Sequence, residues 1–245
     1  MARVQSLQIT VRILTALLAS ASSNGNLWAC DPASLTQTVV FQRSVEILTP
    51  ALDFQNGGAG YAILPPFPGF TPQAIDALWN AMARFDGRLE QVSSQLSPEV
   101  YRHLDDFGQY MHSVLRASLP PAEAPRLSMP IIHLEASKSG FQRIHVDGGD
   151  FTVTVALRGA GTEIFPTINQ LTNMPIELSY IDRDEPSAPI GYSVPTESVY
   201  VTSAESRLTR YGLRGIVPHA APVSTERRLL VVMRFVIQSN GPSQR

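Results

Sequence analysis

The chain has 245 residues, 44% hydrophobic and 16% charged, with 19 basic and 21 acidic side chains and a formal net charge of −2. That length accommodates one large domain with a sizeable core, and the near-neutral charge excludes the basic footprint of a dedicated nucleic-acid binder. A single cysteine, Cys30, excludes an intramolecular disulfide scaffold and any multi-cysteine zinc or iron–sulfur site. Lys138 is the sole lysine, so the remaining basic residues are arginines, and each needs a positional reason before it is given a role.

Residues 1–30 carry two competing patterns. The short apolar stretch Ile13–Ala19, followed by Ser20-Ala21, suits a cleaved leader, and Leu27-Trp28-Ala29-Cys30 faintly resembles a lipoprotein box. The same segment alternates Leu7, Ile9, Val11 and Ile13 with Gln8, Thr10 and Arg12, as in a half-buried strand covering the domain. No later run of apolar residues is long enough to span a membrane.

Residues 31–125 are expected to form a mixed, largely helical cover. From 31 to 69 the chain reads as irregular, with strand-like pieces at 38–41 and 61–64 and turn signals at Asn56–Gly60 and Pro65–Gly69. Thr71-Pro72 and Ser97-Pro98 each pair an N-cap with a proline at the first helical position. Behind them, Ile75, Leu78, Trp79, Met82 and Phe85, then Val100, Leu104, Phe107, Met111 and Val114, recur at helical spacing. Helices over about 72–92 and 98–117 follow from that periodicity. His103 and His112 lie on the second helix without a partner at metal-binding spacing, which suits exposed helix histidines.

After Pro120-Pro121 the texture changes to short strands at 127–135, 141–147, 151–158, 163–168, 176–181, 190–194, 198–202, 213–218 and 228–237. Such density, with turn residues between, predicts an antiparallel sandwich or jelly roll over 126–245, forming one structural unit with the cover. No strand-to-helix phosphate loop is present.

The chemistry lies in this β half. His145 and Asp147, two residues apart on a strand, point to the same side, and Gly148-Gly149 let the chain turn away. His219 offers a third ligand close to the C-terminus. Two histidines and one carboxylate form the facial triad that holds non-haem Fe(II) with open positions. Asp150 is the alternative carboxylate. Arg228 and Arg234, six apart, share a strand face with Leu230 and Val232, where buried guanidiniums need an anion. The converse phase, with both arginines in solvent and Leu229, Val231, Met233 and Phe235 as core, fits the pattern equally well.

On these residues the sequence resembles the Fe(II)/2-oxoglutarate-dependent dioxygenase superfamily over about residues 126–237. His145-x-Asp147 and His219 match its iron triad, and Arg228, nine residues past that histidine, matches the arginine that holds the distal carboxylate of 2-oxoglutarate. The spacing of Arg228 and Arg234 is similar to the arginine pair of the AlkB-like branch. Arg158-Gly-Ala-Gly-Thr-Glu163 is similar to the Arg-Gly-Pro-Gly-Thr-Glu stretch of an uncharacterised bacterial family of this type. The Asn-x-Tyr pair of many AlkB relatives is missing. The resemblance implies a double-stranded β-helix (jelly roll), mainly β with N-terminal helices. It implies Fe(II), O2 and 2-oxoglutarate as cofactors and co-substrate, and oxidation of a C–H bond in a small molecule or peptide side chain. Related halogenases lack the carboxylate ligand, so Asp147 favours hydroxylation. Because 2-oxoglutarate is a cytosolic metabolite, a cytoplasmic location is expected, with export as the alternative.

Other polar residues receive plainer readings. His133 suits a core or pocket-wall histidine, Lys138 a solvated turn, Gln142 and Arg143 a pocket wall, and Asp182–Pro186 an acidic turn lacking calcium-loop spacing. Ser206 and Ser224 belong to no hydrolase triad. Two rival functions remain at this stage: a cupin-like metal enzyme without 2-oxoglutarate, and an exported β-sandwich binding protein with a fortuitous His-x-Asp.

Overall fold

The computed structural model describes residues 32–53, 56–83, 87–89, 92–137, 144–165, 191–204, 218–223 and 226–238. The leader and covering-strand readings of residues 1–30 fall outside these, as do Lys138, Gln142, Arg143, the 182–186 turn, Ser206, Ser224, the strand expected at 176–181 and all but the last residue of the strand expected at 213–218. Residues 40–245 form one compact unit, and residues 1–39 belong to another.

The segment expected to be irregular begins instead with a helix, α1 (Pro32–Leu52), so the strand-like 38–41 is helical. Ser44, Leu48 and Leu52 are buried at intervals of four, giving one inward face. That burial overrides the β-branched run Thr38-Val39-Val40, whose strand preference is weak by comparison. The Ser44 hydroxyl lies 3.0 Å from the Tyr110 hydroxyl and pins this helix to a later one. Strand β1 (Tyr61–Leu64) follows at the expected position.

Helix α2 (Pro72–Met82) starts as its sequence predicts, the Thr71 hydroxyl accepting from the Ala74 N–H at 3.3 Å. It stops ten residues short of the expected 92, and Gly87–Leu89 forms strand β2. The breaker pair Asp86-Gly87 interrupts the helical pattern, and Leu89 is buried as a strand residue. A short helix, α3 (Val92–Gln95), leads into α4 (Pro98–Ser118), capped by Ser97. Leu104, Phe107, Met111, Val114 and Leu115 are fully buried on its inward face. Thr71→Ala should lower stability by about 1 kcal/mol, the usual worth of an N-cap, as measured by the midpoint of urea unfolding.

The β half contributes β3 (Ile131–Ser137), β4 (Phe151–Arg158), β5 (Glu163–Ile164), β6 (Tyr192–Ser193), β7 (Val199–Ser203), β8 (His219–Ala220) and β9 (Arg228–Phe235). All pairings are antiparallel, in a six-stranded sheet ordered β1-β7-β4-β9-β3-β2 and a three-stranded sheet ordered β6-β5-β8. One face of the large sheet packs on the helices: Phe151, Val153, Val155 and Leu157 of β4 join Leu229, Val231, Met233 and Phe235 of β9 in the main core. Strand alternation therefore turns Thr152, Thr154 and Ala156, and with them Arg228, Leu230, Val232 and Arg234, to the opposite face. This settles the phase that the sequence left open. The arginines share their face with the site and are turned away from the helix-packed core.

Candidate metal centre

His145 and His219 are brought together by their own backbones. The His145 N–H donates to the His219 carbonyl and the His219 N–H to the His145 carbonyl, both at 2.9 Å. His219 is held from its other side by β5, where it pairs with Ile164. The imidazole centroids lie 4.6 Å apart. Asp147 completes the group, with Oδ2 at 3.2 Å from His219 Nε2 and Oδ1 at 3.8 Å from His145 Nε2. One ligand atom from each of the three residues falls within 4.8 Å of the others. Two ligands at right angles, each about 2.1 Å from one ion, stand about 3 Å apart. The two carboxylate–imidazole distances of 3.2 and 3.8 Å are near this, and small side-chain movements would bring the group, spread within 4.8 Å, around a single ion. The donor set, two imidazoles and one carboxylate, suits iron among other divalent transition metals.

Electrostatics keep the carboxylate ionised. Burial pushes the Asp147 carboxyl up, but the hydrogen bond from His219 and the nearby charges of His219, His145 and Arg234 outweigh it. The group is held well below the usual carboxylate range, as an acceptor ready for a cation. Arg234 Nη2 approaches Asp147 Oδ1 at 3.3 Å and fixes the carboxylate from the β9 side.

Arg228 lies on the same face of β9 and lines the same pocket, 6% exposed. Its guanidinium is not wholly free, as the resemblance would have it. Nη2 faces Glu135 Oε1 at 3.7 Å, while Nη1 is buried without a hydrogen-bond partner among the described residues. Burial pushes the guanidinium down from its ordinary value, with Glu135 opposing the shift.

Asp150 takes no part in the cluster. It is 2% exposed, and its Oδ2 accepts from the Ile237 N–H at 2.7 Å, which anchors the turn to the end of β9. His133 is buried on β3 opposite Val232, and His112 Nε2 lies 3.1 Å from the Leu127 carbonyl oxygen; neither joins the ligands. Arg158 turns to the helix side, pairing with Asp76 and lying 5.2 Å above the Trp79 ring.

The glycines of the Arg158–Glu163 stretch have a structural purpose. Gly159 sits at φ +76°, and a Cβ there would come within 2.8 Å of the Arg228 Cβ. At Gly161 a Cβ would collide with the Val194 carbonyl oxygen at 1.8 Å. The stretch therefore lets the 194–195 backbone and β9 close tightly around the end of the pocket that holds Arg228.

Three residues of the site carry no sequence motif. Glu135 reaches the pocket from β3, and Thr154 from β4, its buried hydroxyl unpartnered among the described residues. Tyr200, fully buried on β7, presents its ring to His219 with centroids 6.0 Å apart. Burial raises its phenol above the ordinary value, so it stays neutral. The signal that finds them is cross-strand register, Thr154 lying opposite both Tyr200 and Val232.

No protein-family model and no curated protein matches the chain. Solved structures do. The crystal structure of a "Putative oxygenase from Shewanella oneidensis" matches with a TM-score of 0.50 at 10% identity, covering 81% of this chain and 87% of that one. A prolyl-4-hydroxylase from Pseudomonas putida gives 0.49 at 13% identity, over 80% and 100% of the two chains. A full-length Neurospora crassa protein, solved in complex with alpha-KG, gives 0.47 at 12%, over 84% and 81%. Of these three the first alone reaches 0.50, and it carries the likeness. At this identity that likeness is one of fold, and it agrees with the oxygenase superfamily that the sequence resembles.

Proposed function

We propose that the protein is an Fe(II)- and 2-oxoglutarate-dependent oxygenase that hydroxylates, or otherwise oxidises, a C–H bond of a small molecule or peptide side chain. The observation that carries this reading is the convergence of His145, Asp147 and His219 on one metal-sized point, with Arg228 and Arg234 on the adjoining face of β9. We read the two sheets as the halves of a double-stranded β-helix, with the helices packed on the larger one.

Iron, O2 and 2-oxoglutarate together would supply the two-electron oxidation; the chain's own residues bind and orient. His145, Asp147 and His219 would ligate the metal. Arg234 holds Asp147 in position, and Arg228 would take the far carboxylate of the co-substrate through paired charge-assisted hydrogen bonds. The two arginines are six residues apart, about 20 Å along the strand, and both line the pocket, Arg234 at the Asp147 end and Arg228 at the Glu135 end. Thr154 lies between them in register and offers a hydroxyl to the same ligand.

Anaerobic titration of the iron-loaded protein with 2-oxoglutarate tests this. A visible metal-to-ligand charge-transfer band, saturating at one equivalent, is expected, with succinate formed once O2 and substrate are added. Iron binding without that band would favour the cupin-like alternative, and no stoichiometric iron would favour a binding protein.

We place the activity in the cytoplasm, where 2-oxoglutarate is made, and expect no nucleic-acid partner from the charge balance. Among the described residues no helix is long and apolar enough to cross a membrane. Mass spectrometry of the native protein should show residues 1–22 retained. An N-terminus at Ser22, or a lipidated Cys30, would overturn the location and weaken the co-substrate assignment with it.

A further inference from the structure

Arg228 faces a carboxylate supplied by the chain itself. Glu135, on the neighbouring strand β3, lies diagonally across from it, opposite Leu230 in register. Its Oε1 sits 3.7 Å from Arg228 Nη2 and also accepts the Ser137 hydroxyl at 2.9 Å. Arg228 is 6% exposed, and the other terminal nitrogen of its guanidinium, Nη1, is buried with no acceptor among the described residues. One prong of the fork is therefore engaged by the protein, and the other is left for a ligand. A buried arginine without any counter-charge would be strongly destabilising, which explains why the chain supplies one.

The charges of the pocket follow the same logic. With the two imidazoles neutral, as metal ligation requires, Glu135 and Asp147 balance Arg228 and Arg234, and all four line one cavity. A divalent metal and a dicarboxylate dianion also cancel each other. The pocket is thus built to load this pair together, and Glu135 opposes entry of the dianion alone.

We propose that Glu135 is an internal counter-anion for Arg228: it holds the guanidinium in place in the ligand-free protein, competes with the distal carboxylate of the co-substrate, and thereby sets co-substrate affinity. The inference rests on the reading of Arg228 as the 2-oxoglutarate arginine. Glu135 acts as a positioning residue. It stands four residues from the Arg234 end of the sheet, about 13 Å in strand rise, so its effect on the metal ligands is small.

The test compares wild type with Glu135→Gln, and with Glu135→Asp, in which the carboxylate is withdrawn by one methylene. Each protein is titrated anaerobically with Fe(II), then with 2-oxoglutarate by charge-transfer absorbance. The metal-free proteins are followed by thermal shift with and without 2-oxoglutarate. Glu135→Gln should bind 2-oxoglutarate about five- to ten-fold more tightly, because a like charge beside the incoming carboxylate is removed. Its iron affinity should stay within about two-fold, and its ligand-free melting temperature should fall because Arg228 loses its partner. Glu135→Asp should shift affinity in the same direction by less, and it decides the matter if the Gln variant does not fold. Unchanged or weaker 2-oxoglutarate binding by the variant, with wild type binding normally, overturns the proposal and makes Glu135 a structural brace. No 2-oxoglutarate response from wild type in either assay would instead overturn the functional reading on which it rests.

Discussion

Replacing His145 by alanine should abolish iron retention and turnover together while the protein remains folded. On the proposed reading the imidazole is one of three ligands, and loss of even an outer-shell partner typically costs 10- to 100-fold in metal affinity. Removal of a direct ligand should therefore exceed about 100-fold. The fold survives for a local reason: both hydrogen bonds between His145 and His219 are main-chain bonds, and alanine keeps them. Anaerobic Fe(II) titration beside far-ultraviolet circular dichroism separates the two effects. Stoichiometric iron in a folded Ala variant would remove His145 from the ligand set.

Arg228→Lys should raise the 2-oxoglutarate requirement by about 10- to 100-fold while sparing iron. A hydrogen bond to a charged group is worth about 1.5–3 kcal/mol, and the planar fork gives way to a point charge that lacks the second, parallel bond. Lysine keeps the positive charge beside Glu135, so the ion pair with β3 is weakened but not stranded. The measurement is 2-oxoglutarate dependence of succinate formation, paired with iron affinity in the same preparation. An unchanged dependence would move the carboxylate site to Arg234 or remove 2-oxoglutarate from the reaction.

Local patterns read well from the sequence where one physical signal dominated. The run Phe151–Arg158 forms a strand with the expected bounds, since β-branched residues crowd it and glycines and an aspartate precede it. Thr71-Pro72 and Ser97-Pro98 mark true helix starts because an N-cap side chain and a fixed proline φ act within one turn. Helix α1 was hidden because its inward face includes Ser44, a polar residue that satisfies itself against Tyr110, some 66 positions away. The candidate site shows the same division. His145 and Asp147 announce themselves by spacing, whereas Glu135 and Thr154 enter the pocket through sheet register, which no single segment encodes. The engagement of Arg228 by Glu135 is likewise a property of strand order, β3 lying beside β9.

The reciprocal main-chain bonds between His145 and His219 bear on how a metal would come and go. These residues are 74 positions apart, and the loop between them is closed by main-chain hydrogen bonds that do not involve an ion. Zinc fingers differ, because their chains collapse around the ion and unravel when it is chelated. Here the imidazoles are carried on paired backbone whether or not they are coordinated. Chelation would then leave a folded apoprotein that accepts a fresh ion without refolding. Its gain in stability from metal would follow simple mass action, about 1.4 kcal/mol for each ten-fold excess of free ion over the dissociation constant.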